Sequence, residues 1–469
     1  MDNRFYFGFN TSEERKKRRK AELYSMSEQV STFFWDEAPQ HGLEMREGQQ
    51  DMSFEIVDAL INDQHFAIEA GVGIGKSFGY LVPVLLYSKR MNKPVIIATS
   101  TIALQEQLWR DVHAVMPLLG LNRDVILAKG QTHYLCNKRA DEYMCDPKAD
   151  PPDALKEGIK QGYEERKDFP EVLLQGVWDK VNVQRFSMKN CGSCEKKCKY
   201  YKVRAALKFT DGVVLCNQDF LTQHLMKLRR GQEGLINAAA DLLVVDEAHN
   251  LDDKVRSATT ERFGQGMLFG MIKSAFYELR SFDQSSVSGE KREAESAIIA
   301  FYNCLKAQVQ KQINEAEQDM RYADRFFFDQ NGSAVELLTE MNAAIHNLSS
   351  SIQIYSSMDF RNNRSFAASD DLDAVSESLS ELLDQIDDML IWIEQHGSNT
   401  ELVYCPKNTR EIVSRIYFNG DERTILTSAT LTNATSGSLE EQYSYFISNT
   451  GFPAGDRGCL SEPKPSPYP

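Results

Sequence analysis

The sequence predicts an α/β protein built on a parallel sheet flanked by helices, interrupted by a cysteine-rich insertion and then by a long helical one. Three observations carry this. Short apolar runs, HFAIEA, PVIIAT, DVILA, GVVLC and DLLVVDE, alternate with helix-like segments from Met45 to Asn250, as parallel strands joined by crossover helices do. A glycine-rich turn, EAGVGIGKS (Glu69 to Ser77), follows the first run and precedes a helix-like segment. Beyond Leu251 the strand-like runs stop for roughly 150 residues, and apolar positions recur at helical spacing instead.

The chain's 469 residues, 42% apolar, can fill two to four domains with buried cores. There is no uninterrupted apolar run of about 18 residues, and the first residues lack the apolar core and cleavage site of a secretory signal. A cytoplasmic protein without a membrane partner is therefore expected. The net charge of −15 excludes a chain that is basic throughout. A local stripe remains: Arg185, Lys189, Lys196, Lys197, Lys199, Lys202, Arg204 and Lys208 face one acid, Glu195. Such a stripe can meet phosphates, or it can be a solvated face.

In chain order, residues 1–40 read as a helical arm, with the basic run Arg15 to Lys20 followed by an apolar segment ending in Phe33, Phe34 and Trp35. The α/β core is expected over 41–120, 205–250 and 400–450, and the cysteine-rich region over 121–204. A helical insertion is expected over 251–399. Its apolar positions include the long stretch Ala297 to Ile313 and the series Leu372, Val375, Leu379, Leu382, Leu383, Ile386, Met389, Leu390 and Ile393. Strand-like segments return at LVYC from Leu402, IYFN from Ile416 and TILTSATL from Thr424, and are expected to rejoin the first sheet. Residues 451–469, ending in KPSPYP, read as an extended linker.

The glycine-rich turn has the chemistry of a phosphate-binding loop. Gly71, Gly73 and Gly75 let backbone N–H groups turn toward phosphate oxygens, and the helix starting at Lys76 points its positive end at an anion. Lys76 would reach the β- and γ-phosphates and the Ser77 hydroxyl would bind Mg²⁺; the usual first glycine is Ala70 here. In LLVVDEAHN (Leu242 to Asn250) a buried strand ends in two acids. Asp246 can hold Mg²⁺ directly or through water, and Glu247 can orient or deprotonate an attacking water. His249 is placed to sense the γ-phosphate region.

Nine cysteines in a cytosolic chain do not suggest a disulfide framework. Cys191-x2-Cys194-x3-Cys198 can gather three thiolates, with Cys136 supplying a fourth, and such a set suits either zinc or an iron–sulfur cluster. Tyr200 or Tyr201 could stack on a base or pack beneath the cluster.

The segments MREGQQDM, EAGVGIGKS, ATSTIALQEQL, KGQTHYLC, VVLCNQDFL, VVDEAHN and LTSATL occur in the order seen in superfamily 2 DNA helicases of the DinG/XPD type, which the sequence resembles from Met45 onward. The resemblance implies a RecA-like P-loop NTPase domain with an iron–sulfur insertion and an arch-like helical insertion. It implies a [4Fe–4S] cluster, with zinc as the alternative, on Cys136, Cys191, Cys194 and Cys198. Gln49 would read the adenine edge with Arg46 beside it. Thr99, Thr101 and Gln105 fall in the motif that touches the single-strand backbone, and Thr427, Ser428 and Thr430 in the element that couples hydrolysis to strand movement.

The implied activity is ATP-dependent 5′-to-3′ DNA unwinding on single-stranded or forked DNA, in repair or the resolution of replication conflicts. Only 38 residues follow Leu431, so the second motor domain and its arginine are expected to lie outside this sequence, a separately encoded motor domain being one of the alternatives. An ATP- and DNA-binding module with little unwinding of its own is the alternative expectation.

Overall fold

The computed structural model describes residues 12–44, 46–184, 198–279, 284–316, 323–358 and 367–467. The chain divides into two compact units, one formed by Met1–Ala258 with Thr409–Pro469 and the other by Thr259–Asn408.

The strands, in chain order, are β1 (His65–Glu69), β2 (Val95–Thr99), β3 (Val125–Leu127), β4 (Val213–Asn217), β5 (Leu242–Asp246), β6 (Glu261–Gly264), β7 (Arg325–Phe327), β8 (Met389–His396), β9 (Asn399–Pro406), β10 (Arg423–Ser428) and β11 (Gly458–Leu460). In the first unit seven of them form a sheet in the order β11-β1-β10-β5-β2-β4-β3, every pair parallel. This is the expected α/β architecture. Because strand side chains alternate, successive residues serve opposite cores. Phe66, Ile68, Ile97, Val244 and Ile425 join the core under the helices Ser12–Thr32, Glu47–Ile61, Lys76–Met91 and Ile102–Leu118. Ala67, Ile96, Ala98, Leu243, Val245 and Leu426 join the opposite core, with Leu221, Val255, Val413 and Phe446 from the helices on that face.

The N-terminal arm forms the helix Ser12–Thr32, which buries Leu23, Met26 and Val30 in the first core. Its basic run is not wholly solvated. Arg19 reaches the Leu60 carbonyl, Asp63 and the Tyr87 hydroxyl.

The second unit departs from the purely helical expectation. Its helices Gln265–Glu278, Ser288–Glu315, Ser333–Met358 and Ala367–Asp384 accompany a four-stranded antiparallel sheet in the order β6-β9-β8-β7. The helix expected to run on to Ile393 ends at Asp384, and Met389, Leu390 and Ile393 lie in β8. LVYC does not rejoin the parallel sheet: it lies in β9, paired antiparallel with β6 and β8. The start of IYFN closes the helix Thr409–Tyr417, and of the three returning segments TILTS alone re-enters the first sheet, as β10.

The expected linker is also corrected. Within 451–469, β11 adds a strand to the sheet edge beside β1, and Lys464 bridges Ala70. Among the described residues, no helix is long and apolar enough to cross a membrane.

Candidate functional site

The phosphate-loop residues and the two acids come together at the C-terminal ends of β1, β5 and β10, where an open parallel sheet offers a crevice. Gly73 and Gly75 have φ of 89° and 88°, a region L side chains seldom adopt, so the loop requires glycine at both. Gly71 is required for another reason: a Cβ there would stand 2.6 Å from the Ser466 nitrogen. The loop ends at the N-terminus of the Lys76–Met91 helix, which carries Lys76 and Ser77 in its first turn.

Lys76 Nζ lies 2.8 Å from Asp246 Oδ1 and 2.6 Å from Glu247 Oε1. Burial works against the ammonium, but the two carboxylates outweigh it and its pKa is raised. Burial lifts the Asp246 carboxyl above its ordinary range despite Lys76. Tyr80, one helical turn beyond Lys76, reaches Asp246 Oδ2 at 3.3 Å.

Glu247 sits in the left-handed region at φ 57°, an uncommon conformation for a non-glycine residue. Its backbone is held from beneath. The amide of Gln218 donates to the carbonyls of Asp246 (2.7 Å) and Glu247 (3.1 Å). His249 Nδ1 is 2.6 Å from Ser428 Oγ, and Ser428 donates to Glu247 Oε2 at 3.4 Å. Thr430 N donates to the same Ser428 hydroxyl, while the Thr427 hydroxyl is buried without a partner. Glu247 and His249, just after β5, are thus cross-bonded to Ser428 at the end of β10.

Arg46 precedes the Glu47–Ile61 helix, 3.8 Å from Glu44, and Gln49 lies in its first turn. Gln49 donates to the Gly75 carbonyl at 3.1 Å and leaves Oε1 buried and unpartnered. Thr101 caps the Ile102–Leu118 helix, and Thr99 is buried, donating to the Thr101 carbonyl. Gln105 is fully buried, with its amide on the carbonyls of Ala128 and Leu215. This amide braces β4 against the β3 loop, so the expectation that its side chain touches a nucleic-acid backbone does not match its position.

Gln218, Tyr80 and Glu69 were not singled out from sequence. Glu69 accepts from Leu431 N, Thr432 N and the Thr432 hydroxyl at 2.6, 2.7 and 2.8 Å, tying β1 to the turn after β10. The Gln218 signal was present in VVLCNQDFL, whose amide follows a buried strand. What could not be read was that this amide turns toward β5.

In the cysteine-rich region, Cys136 is buried at 3% exposure and Cys198 packs against the same small cluster, which also holds Tyr134, Val183 and Tyr200. Two thiols 62 positions apart in sequence thus share one apolar pocket, which fits a sulfur-held centre. Cys191 and Cys194 lie outside the described residues, and among those described no cluster of metal-binding side chains occurs. Tyr200 packs 5.3 Å from the Tyr134 ring, whereas Tyr201 is exposed.

The basic stripe is partly engaged with the protein itself. Lys199 pairs with Glu165 at 2.8 Å, Lys208 with Glu233, and Arg204 donates to the Leu235 carbonyl. Arg185, Lys189, Lys196 and Lys197 lie outside the described residues. Glu165 also takes Lys129, which pairs in turn with Glu106 on the Ile102–Leu118 helix. An ion network centred on the buried Lys129 and Glu165 therefore fastens the cysteine-rich region to the α/β core.

Residues 132–266 match the DEAD_2 family model. Over 440 residues the chain is 24% identical to the probable ATP-dependent helicase YpvA of Bacillus subtilis, covering 87% of this chain and 64% of that protein. It is 30% identical to the ATP-dependent helicase DinG of Mycobacterium tuberculosis, covering 45% of this chain and 35% of the relative. It is also 30% identical to the ATP-dependent DNA helicase YoaA of Escherichia coli, covering 48% and 36%. The chain thus spans less than two thirds of the length of each of these relatives. The ordered motifs, the DEAD_2 match over residues 132–266 and these relatives make the chain similar to ATP-dependent helicases of the DinG/XPD type.

Proposed function

We propose that this chain carries the ATP-binding motor domain of an ATP-dependent DNA helicase, with hydrolysis coupled to movement along single-stranded or forked DNA. The observation that supports this best is the Lys76, Asp246 and Glu247 constellation, bonded through Ser428 to His249. In this reading Gly71, Gly73 and Gly75 give the phosphates a backbone cradle, and Lys76 leaves the carboxylates for the β- and γ-phosphates. Ser77 and Asp246 hold Mg²⁺, which neutralises phosphate charge when bound. Arg46 and Gln49 face the adenine. Glu247 takes the proton of the attacking water, and the Ser428–His249 contact relays the loss of the γ-phosphate to the turn after β10.

Cys136, Cys191, Cys194 and Cys198 would hold a [4Fe–4S] cluster, whose four-thiolate ligation matches this set. The cluster would serve to fix the fold of the cysteine-rich region, with its lysines tracking DNA phosphates. Residues 259–408 would form the arch, and 5′-to-3′ polarity follows from the family resemblance.

The test is ATP turnover by the purified chain with and without single-stranded DNA. Binding of Mg·ATP and DNA-stimulated hydrolysis that both disappear in Lys76→Ala are expected. A wild-type chain that binds no Mg·ATP refutes the reading.

A further inference from the structure

The segment after β11 does not simply leave the sheet. Ser461 N donates to the Ala67 carbonyl, and Lys464 N donates to the Glu69 carbonyl at 2.9 Å. Gly71 N then donates back to the Lys464 carbonyl at 2.9 Å, so the first turn of the phosphate loop is hydrogen-bonded to this segment. The Tyr443 hydroxyl pins the run from the other side, accepting from Glu69 N at 2.8 Å and donating to the Ser461 carbonyl at 3.0 Å.

The side chain of Lys464 points elsewhere, onto the Glu47–Ile61 helix. Its ammonium lies 2.7 Å from Glu55 and 3.6 Å from Asp51, with only 15% of the side chain exposed. A Cβ on Gly48 would be 3.6 Å from the Lys464 Cβ and 3.3 Å from Ile74, so helix, loop and segment meet closely at this point. One residue therefore grips the phosphate loop with its backbone and the helix bearing Gln49 with its side chain. The opposing link is short: Gln49 itself donates to the Gly75 carbonyl.

We propose that Lys464 is a positioning residue for nucleotide selection, fixing the helix that carries Gln49, with Arg46 at its N-cap, at a set distance from the phosphate loop. The proposal rests on the ATP-site reading above. A nucleotide spans both elements, base at the helix and phosphates at the loop, so their separation decides whether both can be engaged at once. Inorganic tripolyphosphate engages the loop only. Losing the Lys464 link should then weaken binding of a whole nucleotide and leave tripolyphosphate binding nearly intact.

The experiment measures the affinities of Mg·ATP, Mg·GTP and Mg·tripolyphosphate for the full chain, wild type and Lys464→Ala, Lys464→Arg and Glu55→Gln. For Lys464→Ala a loss of about fivefold for ATP is expected, the scale of one partly buried ion pair. The preference for ATP over GTP should shrink, tripolyphosphate affinity should stay within about twofold, and Lys464→Arg should retain most of the wild-type behaviour. Glu55→Gln removes the same link from the helix side, and tests the idea if Lys464→Ala does not fold. Unchanged ATP affinity and unchanged ATP-to-GTP preference in a folded variant overturn the proposal. So does an equal loss for ATP and tripolyphosphate, which would mean that Lys464 only stabilises the loop. A wild type that binds tripolyphosphate but no nucleotide refutes the ATP-site reading instead.

Discussion

The two sheets of this chain treat buried polar groups differently. In the antiparallel unit they are matched: Tyr302 donates to the Phe263 carbonyl, Ser376 and Ser380 share Asn342, and Glu394 collects Arg262, Arg325 and the Trp392 indole. Around the parallel sheet they are not. Among the described residues, the buried side-chain atoms without a partner are Gln49 Oε1, Gln105 Oε1, Arg123 Nε, Asn182 Nδ2, Gln218 Oε1 and Thr427 Oγ1, and none falls within 259–408. A buried polar atom left unpaired costs about 1–3 kcal/mol, so folds keep few of them. Three of these six, on Gln49, Gln218 and Thr427, lie on residues that build the candidate nucleotide site. The parallel unit holds polar capacity in reserve where a ligand is expected, and the antiparallel unit is closed on itself.

The sharpest way to break this contrast is at Glu247. Replacing it by Gln keeps the shape of the site and removes the base, so hydrolysis should fall by about 10²–10⁴ while Mg·ATP affinity stays within a few-fold. Single-turnover hydrolysis beside equilibrium nucleotide binding checks it. Hydrolysis that persists would remove Glu247 from the chemistry.

The matching experiment in the other unit is Ile345→Ala. Ile345 is fully buried in its core, and the truncation should cost about 2–5 kcal/mol of that unit's stability. If the unit is a core closed on itself, urea unfolding should register the loss and Mg·ATP affinity should not. A large change in affinity would show that the two units are coupled.

The same contrast explains what could be read from sequence. Strands buried on both faces show continuous apolar runs, and at β1, β5 and β10 each run ends in a motif, so the first sheet and its acids were legible. In the second unit, Met389, Leu390 and Ile393 continue the helical spacing of Leu372 to Ile386, and the strand they form was hidden in that phase. The turn at 386–388, with Asp387 and Asp388, is where the period changes from 3.6 to 2. β8 then buries Met389, Ile391 and Ile393 on one face. β6 and β7 are three or four residues long, too short for any pattern to show. The position of Gln105 was not legible, because its motif suggested contact with a strand backbone and only the packing of β3 and β4 shows its Nε2 bonded inside the fold.

Acid should also separate the units. Burial, reinforced by Arg423 and Arg457, lowers His65 to about 4, and burial with Arg204 and Arg229 does the same for His224. The geometry agrees: in each ring Nδ1 accepts backbone N–H groups, from Thr424 and from Leu235 and Ile236, which requires the neutral form. The unfolded chain takes up these protons near pH 6.5, the folded unit only near pH 4. Their contribution is complete above pH 6.5 and drains away as the pH falls toward 4, at up to about 1.4 kcal/mol per pH unit for each ring. The carboxyls of Asp111, Asp246 and Asp252, lifted by burial, act in the opposite sense, while His133, lowered by burial, adds to the effect of the two rings. Urea midpoints at pH 7.5 and pH 5 should therefore drop for the parallel unit, and His224→Gln should reduce that drop. A midpoint that does not move would mean these rings are protonated in the folded state.

The smallest effect, and the finest test of the contrast, is at Gln218. Its amide is shared by the carbonyls of Asp246 and Glu247, and it joins the Glu247 N to Asp246 Oδ1 bond in holding Glu247 in its left-handed conformation. Each such hydrogen bond is worth about 1 kcal/mol net, so Gln218→Ala should leave the fold intact and loosen the aim of the Glu247 carboxylate. A misplaced base costs rate before it costs binding, so kcat should fall about tenfold with KM for ATP little changed. Gln218→Met has a similar length but donates no hydrogen bond, and should behave like the alanine variant. If Gln218→Met restores the rate, the residue fills space and does not position the acids. If both variants raise KM and leave kcat alone, Gln218 supports the nucleotide rather than Glu247, and its unpartnered Oε1 is the atom to examine next.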